Sequence, residues 1–200
     1  MMNNEAKQYF NRMAENWDSI CQHDEEKLKK IIGLMNIKPG QKVLDVGCGT
    51  GVMLPILFDM VGKSGELVGV DYAEKMIKIA RQKHKYANLK CVCEDIECIE
   101  LKSGHFDHVL CYSVYPHFKD PSKTIGHLAK ALVKGGRLCV CHSESRERIN
   151  QCHQDAGRQV AHDVLPSAEK VAHVLVAAGL KPIEKIDNDE LFVVIAEKAG

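Results

Sequence analysis

The stretch Val43-Leu44-Asp45-Val46-Gly47-Cys48-Gly49-Thr50-Gly51 constrains this chain more than any other. An apolar strand end runs into a turn with glycine at every second position, and a second apolar segment follows. Glycine takes up positive φ readily and lets a ligand come close to the backbone. A helix start just beyond offers unpaired N–H groups to a negatively charged group. The pattern predicts a short strand over Lys42 to Val46, a ligand-sized turn, and a helix over Val52 to Val61 that tolerates Pro55 in its first turn. Taken alone, such a loop holds a dinucleotide, a phosphate or nothing.

The rest of the chain sets this unit in an alternating pattern. The first forty residues read as helical, with Leu28, Ile31, Ile32 and Met35 at helical spacing and Pro39-Gly40 as a stop. Strands are predicted over Leu67 to Asp71, Leu89 to Cys93, Phe106 to Tyr112 and Arg137 to Cys141, the last entered through a Lys134-Gly135-Gly136 turn. Helices are predicted over Glu74 to Lys85 and from Pro121, capped by Asp120, to about Leu132. Ser143 to Pro166 reads as an insertion with its own helix. Ser167 to Ala178 is the next helix, stopped by Gly179. Pro182 to Ile186 and Leu191 to Glu197, joined by Asp187-Asn188-Asp189, read as a closing antiparallel hairpin. Alternation of this kind predicts an α/β fold, a mostly parallel sheet with helices on both faces. Ligands bind such sheets at the carboxyl ends of the strands, where strand order reverses. The expected layout is one domain over 1–200: a helical cap over 1–40, a ligand-binding core over 41–142, the insertion over 143–166, and the last helix and hairpin over 167–200.

Composition narrows the partners. With 27 basic and 27 acidic side chains the formal charge is zero, which argues against reliance on nucleic-acid phosphate. No secretory signal is expected at the start, and no apolar run is long enough to span a bilayer. The nine cysteines are odd in number and several sit in apolar strands, where free cysteine packs as a small hydrophobe. A cytoplasmic location without structural disulfides is the expectation. Cys91/Cys93 and Cys139/Cys141 are not spaced as zinc pairs.

Two further acids sharpen the reading of the glycine loop. Asp71 ends the second strand, where a carboxylate can accept both ribose hydroxyls of an adenosine. Asp95, after the third strand, can accept from an adenine amino group while Ile96 packs the ring. Asp45, Gly47, Gly49, Gly51, Asp71, Asp95 and the run Leu132 to Leu138 together resemble the class I S-adenosylmethionine (SAM)-dependent methyltransferases. Tyr9-Phe10-Asn11-Arg12-Met13-Ala14-Glu15-Asn16-Trp17-Asp18 looks like the cap of their ubiquinone/menaquinone methyltransferase-like (type 11) branch. The resemblance implies a Rossmann-like seven-stranded sheet and SAM as cofactor. Gly47 and Gly49 would lie against the methionine part of SAM, with Asp45 on its amino group. Cys48, Gly51, Tyr72, Met76 and Tyr112 complete the implied cofactor set. A nicotinamide dinucleotide would want glycine or alanine at Val52 and would leave Asp45 unexplained.

Methyl transfer from a sulfonium needs mainly near-attack geometry, so no catalytic signature is obligatory. The acceptor is expected to be a small molecule, beside the residues that follow the fourth and fifth strands. The Asn/Asp-Pro-Pro-Tyr/Phe motif of nucleic-acid amino methyltransferases is missing there; the chain reads Tyr112-Ser113-Val114-Tyr115-Pro116-His117-Phe118. His117, His142 and His153 are candidates to line a polar acceptor pocket, with Arg146 holding an anionic group. A metal on the histidines is an alternative. So are a metalloid or thiol methyltransferase, which requires Cys111 or Cys141 at the pocket, and a non-catalytic SAM-binding module. Tyr9, Phe10, Met13 and Trp17 suggest that the N-terminal segment is a lid. Oligomeric state is not legible.

Overall fold

The first strand of the sheet, β1 (Lys42–Val46), lies between two parallel neighbours, β2 (Glu66–Asp71) and β4 (Phe106–Tyr112). The protein is described by a computed structural model over residues 4–200. With β3 (Leu89–Cys93), β5 (Leu132–His142), β6 (Leu180–Asp187) and β7 (Phe192–Lys198) it forms a seven-stranded sheet in the order β3-β2-β1-β4-β5-β7-β6. The first five strands are parallel, and β7 runs antiparallel to both β5 and β6. The chain leaves β1 toward β2 and β3, then crosses back to place β4 on the other side of β1. That reversal opens a crevice above the carboxyl ends of β1 and β4.

Side chains alternate between the two faces along each strand. Val109 and Cys111 of β4, with Leu138 and Val140 of β5, pack under the helices α6 (Pro121–Ala131) and α8 (Ala168–Ala177). Leu110 and Tyr112, with Cys139 and Cys141, pack against α3 (Glu25–Met35) and α4 (Leu54–Val61) on the other face. Cysteine is thus a core filler on both faces, and all nine are free thiols. The helix α5 (Glu74–Lys83) covers the β2–β3 side through Ile77 and Ala80.

Several boundaries differ from the sequence expectation. The helix after the glycine loop begins at Leu54 rather than Val52, and α5 ends at Lys83 because His84 is extended, at φ −118°. The Lys134-Gly135-Gly136 turn lies inside β5, where the pairing with β4 shifts register; β5 starts at Leu132 and not at Arg137. The N-terminal segment is broken into α1 (Asn4–Met13), a 3₁₀ turn over Ala14–Asn16, α2 (Trp17–Ile20) and then α3. Asp24 starts α3 by accepting from the Glu26 and Lys27 amides, and left-handed Asn36 ends it. The insertion carries its helix as α7 (Arg146–Asp155), capped by Ser145.

Candidate active site

The crevice at the reversal point is built by three strand ends. Gly47 and Cys48, just past β1, both donate to the Val70 carbonyl, which draws the glycine loop onto the end of β2. Asp71 then ties the two strand ends together. One carboxylate oxygen accepts from the Gly49 amide at 2.9 Å and the other from the Ala73 amide at 2.8 Å. Gly47 has φ +66°, and a side chain there would run into Val114 after β4. Gly49, at φ +55°, faces open space. A narrow cleft results, walled by Asp71, Tyr72, Glu94, Ile96, Val114, His117 and Phe118, with Gly47 and Val70 also lining it.

Asp45 lies beneath the loop, 2% exposed, and one of its carboxylate oxygens has no hydrogen-bond partner. Burial pushes its pKa up to about 8, and the nearby Asp71 carboxylate adds to the shift. Burial also raises Asp71, against the opposing pull of the Ala73 and Gly49 amides and of His117. A buried, unpartnered carboxylate oxygen is costly, and a cationic ligand group at this point would remove that cost. The donor set of the crevice therefore fits a nucleoside with an ammonium group.

The other implied cofactor residues are placed less uniformly. Ile96 lines the cleft, but its neighbour there is Glu94; Asp95 instead accepts from the Glu97 amide at 2.9 Å, a local turn contact. Met76 is buried with Ala14 and Ala73 under Phe10 and Trp17 of the N-terminal segment. Cys48 is buried beneath the loop with Leu54 and Ile77. The Tyr112 hydroxyl is spent on His23 Nδ1 at 2.7 Å and Ser143 Oγ at 2.8 Å, so it joins the cap to the insertion.

The N-terminal segment closes over the crevice. Phe10 sets its ring edge-on to Tyr72, Trp17 and His117, at centroid distances of 6.2, 5.5 and 5.3 Å. Thr50 of the glycine loop, 2% exposed, donates to Asp18 at 2.6 Å, and Lys83 bridges to the other oxygen of Asp18 at 2.7 Å. Asn11 both donates to Glu74 and accepts from the Lys75 amide. Asp18→Ala is expected to loosen the segment, since it leaves the buried Thr50 hydroxyl unpaired at a cost of about 1–3 kcal/mol. Hydrogen exchange of the amides in α1 and α2 should accelerate by roughly fivefold or more; unchanged exchange would show that the Thr50 link does not hold the segment.

On the acceptor side, three of the predicted groups come together and one does not. His117 Nδ1 meets Asp163 Oδ2 at 2.7 Å, and the His117 and His153 rings lie 5.0 Å apart. His153 Nδ1 donates to the Asp163 carbonyl. His142, at the end of β5, is 1% exposed with neither ring nitrogen partnered; burial, reinforced by His117 and His153, lowers its pKa to about 3. It lies beneath the cluster and not on an open wall. Arg146, expected to be free for an anion, is engaged elsewhere. Its guanidinium pairs with Asp187 at 3.2 Å and with Glu147. Asp187 in turn accepts from the Ala168 amide at the start of α8, so Arg146 serves to pin the hairpin. Cys111 and Cys141 are fully buried, contrary to what a thiol- or metalloid-binding pocket requires. Among the described residues no three His, Cys, Asp or Glu side chains are placed to hold a metal ion.

The chain matches the methyltransferase domain family over residues 37–188. It belongs to that family. It falls with the class I enzymes of the ubiquinone/menaquinone-like branch, whose cofactor is S-adenosyl-L-methionine. The chain is 30% identical to a demethylmenaquinone methyltransferase of Staphylococcus carnosus, over 70% of this chain and 60% of that protein. It is 34% identical to a ubiquinone biosynthesis O-methyltransferase of Coxiella burnetii, over 56% of this chain and 47% of that one. The match thus spans about half to three fifths of these relatives' lengths. In fold, the chain resembles a SAM-dependent methyltransferase of Aquifex aeolicus, with a TM-score of 0.75, 22% identity, and 94% of this chain and 97% of that one covered.

The run after the fourth strand supplies Val114, His117 and Phe118 to the crevice; sequence reasoning did not single out Glu94 as a wall, nor Asp163 as the partner of His117. A usable signal existed for Asp163. Asn150 and His153 lie on one helix face, and Asp163 and Leu165 follow in the same insertion, which marks a loop folded back on its helix.

Proposed function

We propose that this protein transfers a methyl group from SAM to a small-molecule acceptor, with the donor in the crevice above β1 and β4. The observation that carries the reading is Asp71, which joins the glycine loop to the end of β2 and still presents its carboxylate at the cleft. Asp45 would receive the amino group of the donor, Gly47, Cys48, Gly49 and Gly51 its methionine part, Asp71 its ribose, and Tyr72, Ile96 and Met76 the side of its adenine. Glu94 takes the place given to Asp95 on sequence grounds. When bound, SAM supplies an activated methyl. The protein's part is to hold the acceptor against it and to exclude water, the latter through the Phe10 and Trp17 cap.

In this reading the acceptor would lie beside His117, at the cleft wall that it shares with Val114 and Phe118. The relatives' printed names, which concern quinone precursors, support a small molecule. Zero formal charge gives no support for a nucleic-acid partner. No helix among the described residues is long and apolar enough to cross a membrane.

Calorimetry tests the donor. The protein should bind SAM and S-adenosylhomocysteine and leave NAD unbound; NAD binding alone would sink the reading. Asp45 adds a proton signature. Its raised pKa of about 8 means that the carboxyl is largely protonated near neutral pH before ligand arrives. An ammonium group favours the ionised form, so binding should release close to one proton near pH 7. The release should vanish in Asp45→Asn, as read from binding heats in buffers of different ionisation enthalpy.

A further inference from the structure

Asp163 stands where one side chain of the insertion and one of the β4 loop converge. Its carboxylate accepts from His117 Nδ1, and its backbone carbonyl accepts from His153 Nδ1. Two residues on, the Leu165 amide and carbonyl are both taken by the Asn150 side chain, at 2.7 and 3.1 Å. The segment carrying Asp163 is therefore fixed to α7 at two backbone points by side chains one helical turn apart. An ionised carboxylate and a carbonyl oxygen only accept, so both imidazoles must carry hydrogen on Nδ1. In its neutral form each imidazole then keeps its lone pair on Nε2. His117 is the one that lines the donor cleft. Beneath both rings lies His142, whose two nitrogens have no partner.

The lining near His117 limits what fits. Phe10 meets its ring edge-on, and Val114 and Phe118 flank it. Among the described residues no lysine or arginine lines the cleft, and Arg146 is already neutralised by Asp187 and Glu147. No side-chain cation is offered to an anionic acceptor here. An uncharged acceptor with a weakly acidic X–H bond does fit, because a neutral imidazole can take such a proton.

We propose that His117, held by Asp163, is the base that removes the proton from a weakly acidic hydroxyl or thiol of the methyl acceptor. The inference rests on the methyl-transfer reading above. The Nε2 lone pair takes the proton, and the X–H bonding pair stays on the acceptor as the pair that meets the methyl carbon. His117 becomes an imidazolium whose Nδ1–H remains bonded to the Asp163 carboxylate, and the proton later passes to water. His117 is the catalytic residue and Asp163 a positioning residue, which sets the tautomer and balances the charge.

Two measurements test the pair. Nitrogen-15 NMR of the ligand-free protein reads the tautomer: His117 should carry hydrogen on Nδ1, and hydrogen on Nε2 would overturn the assignment. The second uses 4-nitrophenol as a stand-in acceptor, added to the protein saturated with S-adenosylhomocysteine, at a pH where the free phenol is protonated. Wild-type protein should bind it as the phenolate, with its visible absorption band. His117→Gln should bind it only as the neutral phenol. Asp163→Asn should lower the phenolate fraction by about tenfold or more, as expected for loss of a charge-assisted bond, with S-adenosylhomocysteine affinity unchanged. Equal phenolate in all three proteins, neutral phenol on the wild type, or no binding of the probe overturns the proposal. If S-adenosylhomocysteine itself fails to bind, the donor reading falls instead, and the tautomer measurement still decides the pair.

Discussion

Gly47→Val is expected to abolish measurable SAM binding and to lower the melting temperature by roughly 5–10 °C, taking strain of about 2–3 kcal/mol. Two independent costs coincide at this residue. Its φ of +66° lies in the left-handed region that a β-branched side chain avoids. A Cβ there would also collide with Val114, which closes the crevice from the β4 side. Either the loop must leave the end of β1 or Val114 must be pushed away. Both outcomes deform the place where the two strand ends meet. Gly49→Ala provides the contrast: it has a similar φ of +55° but nothing within van der Waals reach, so it should cost less stability. Thermal unfolding and calorimetry with S-adenosylhomocysteine check both. If Gly47→Val binds within threefold of wild type, the crevice is not the donor site. If Val114→Gly, which removes every clashing atom, restores no stability to Gly47→Val, the collision is not the cause.

Asp71→Ala is expected to weaken S-adenosylhomocysteine by at least about thirtyfold, from the loss of charge-assisted bonds worth about 2–3 kcal/mol. Its effect goes beyond contact with a ribose. The same carboxylate accepts from Gly49 and Ala73, so removing it frees two backbone amides and slackens the glycine loop. Asp71→Asn separates the parts, because an amide oxygen still serves one backbone donor. It should fall between wild type and Asp71→Ala. Equal affinities in all three, measured by calorimetry, would remove Asp71 from the site.

The elements that were readable in advance are those with strong apolar patterning. The near-continuous apolar runs of β1 and β4, covered on both faces, and the helical spacing of Leu28, Ile31, Ile32 and Met35 follow from burial, which writes itself into residue choice. The start of β5 was not readable. Lys134-Gly135-Gly136 has the composition of a turn, and only pairing with β4 on one side keeps it in the sheet as an irregularity. The crevice at the strand reversal was legible because its walls sit at successive strand ends, a few residues from recognisable glycines. That Glu94 and not Asp95 lines the cleft turns on one residue of local turn geometry. The acceptor side was only half legible. His117 and Asp163 are 46 residues apart and meet only because α7 folds the insertion back over the β4 loop. Arg146 looked free because its partner Asp187 lies in the distant hairpin.

The burial of the cysteines turns them into a gauge of unfolding. Cys98 and Cys152 are exposed, while Cys48, Cys91, Cys111, Cys139 and Cys141 are buried on both faces of the sheet or beneath the glycine loop. An alkylating reagent added to native protein should mark the two exposed positions promptly and the sheet positions only through opening of the core. Mass spectrometry of the labelled protein then separates fraying of the surface from loss of the fold, with no dye or introduced probe. Ligand that closes the crevice should slow labelling of Cys48 before it slows that of Cys139, since the first lies under the glycine loop and the second in the middle of β5.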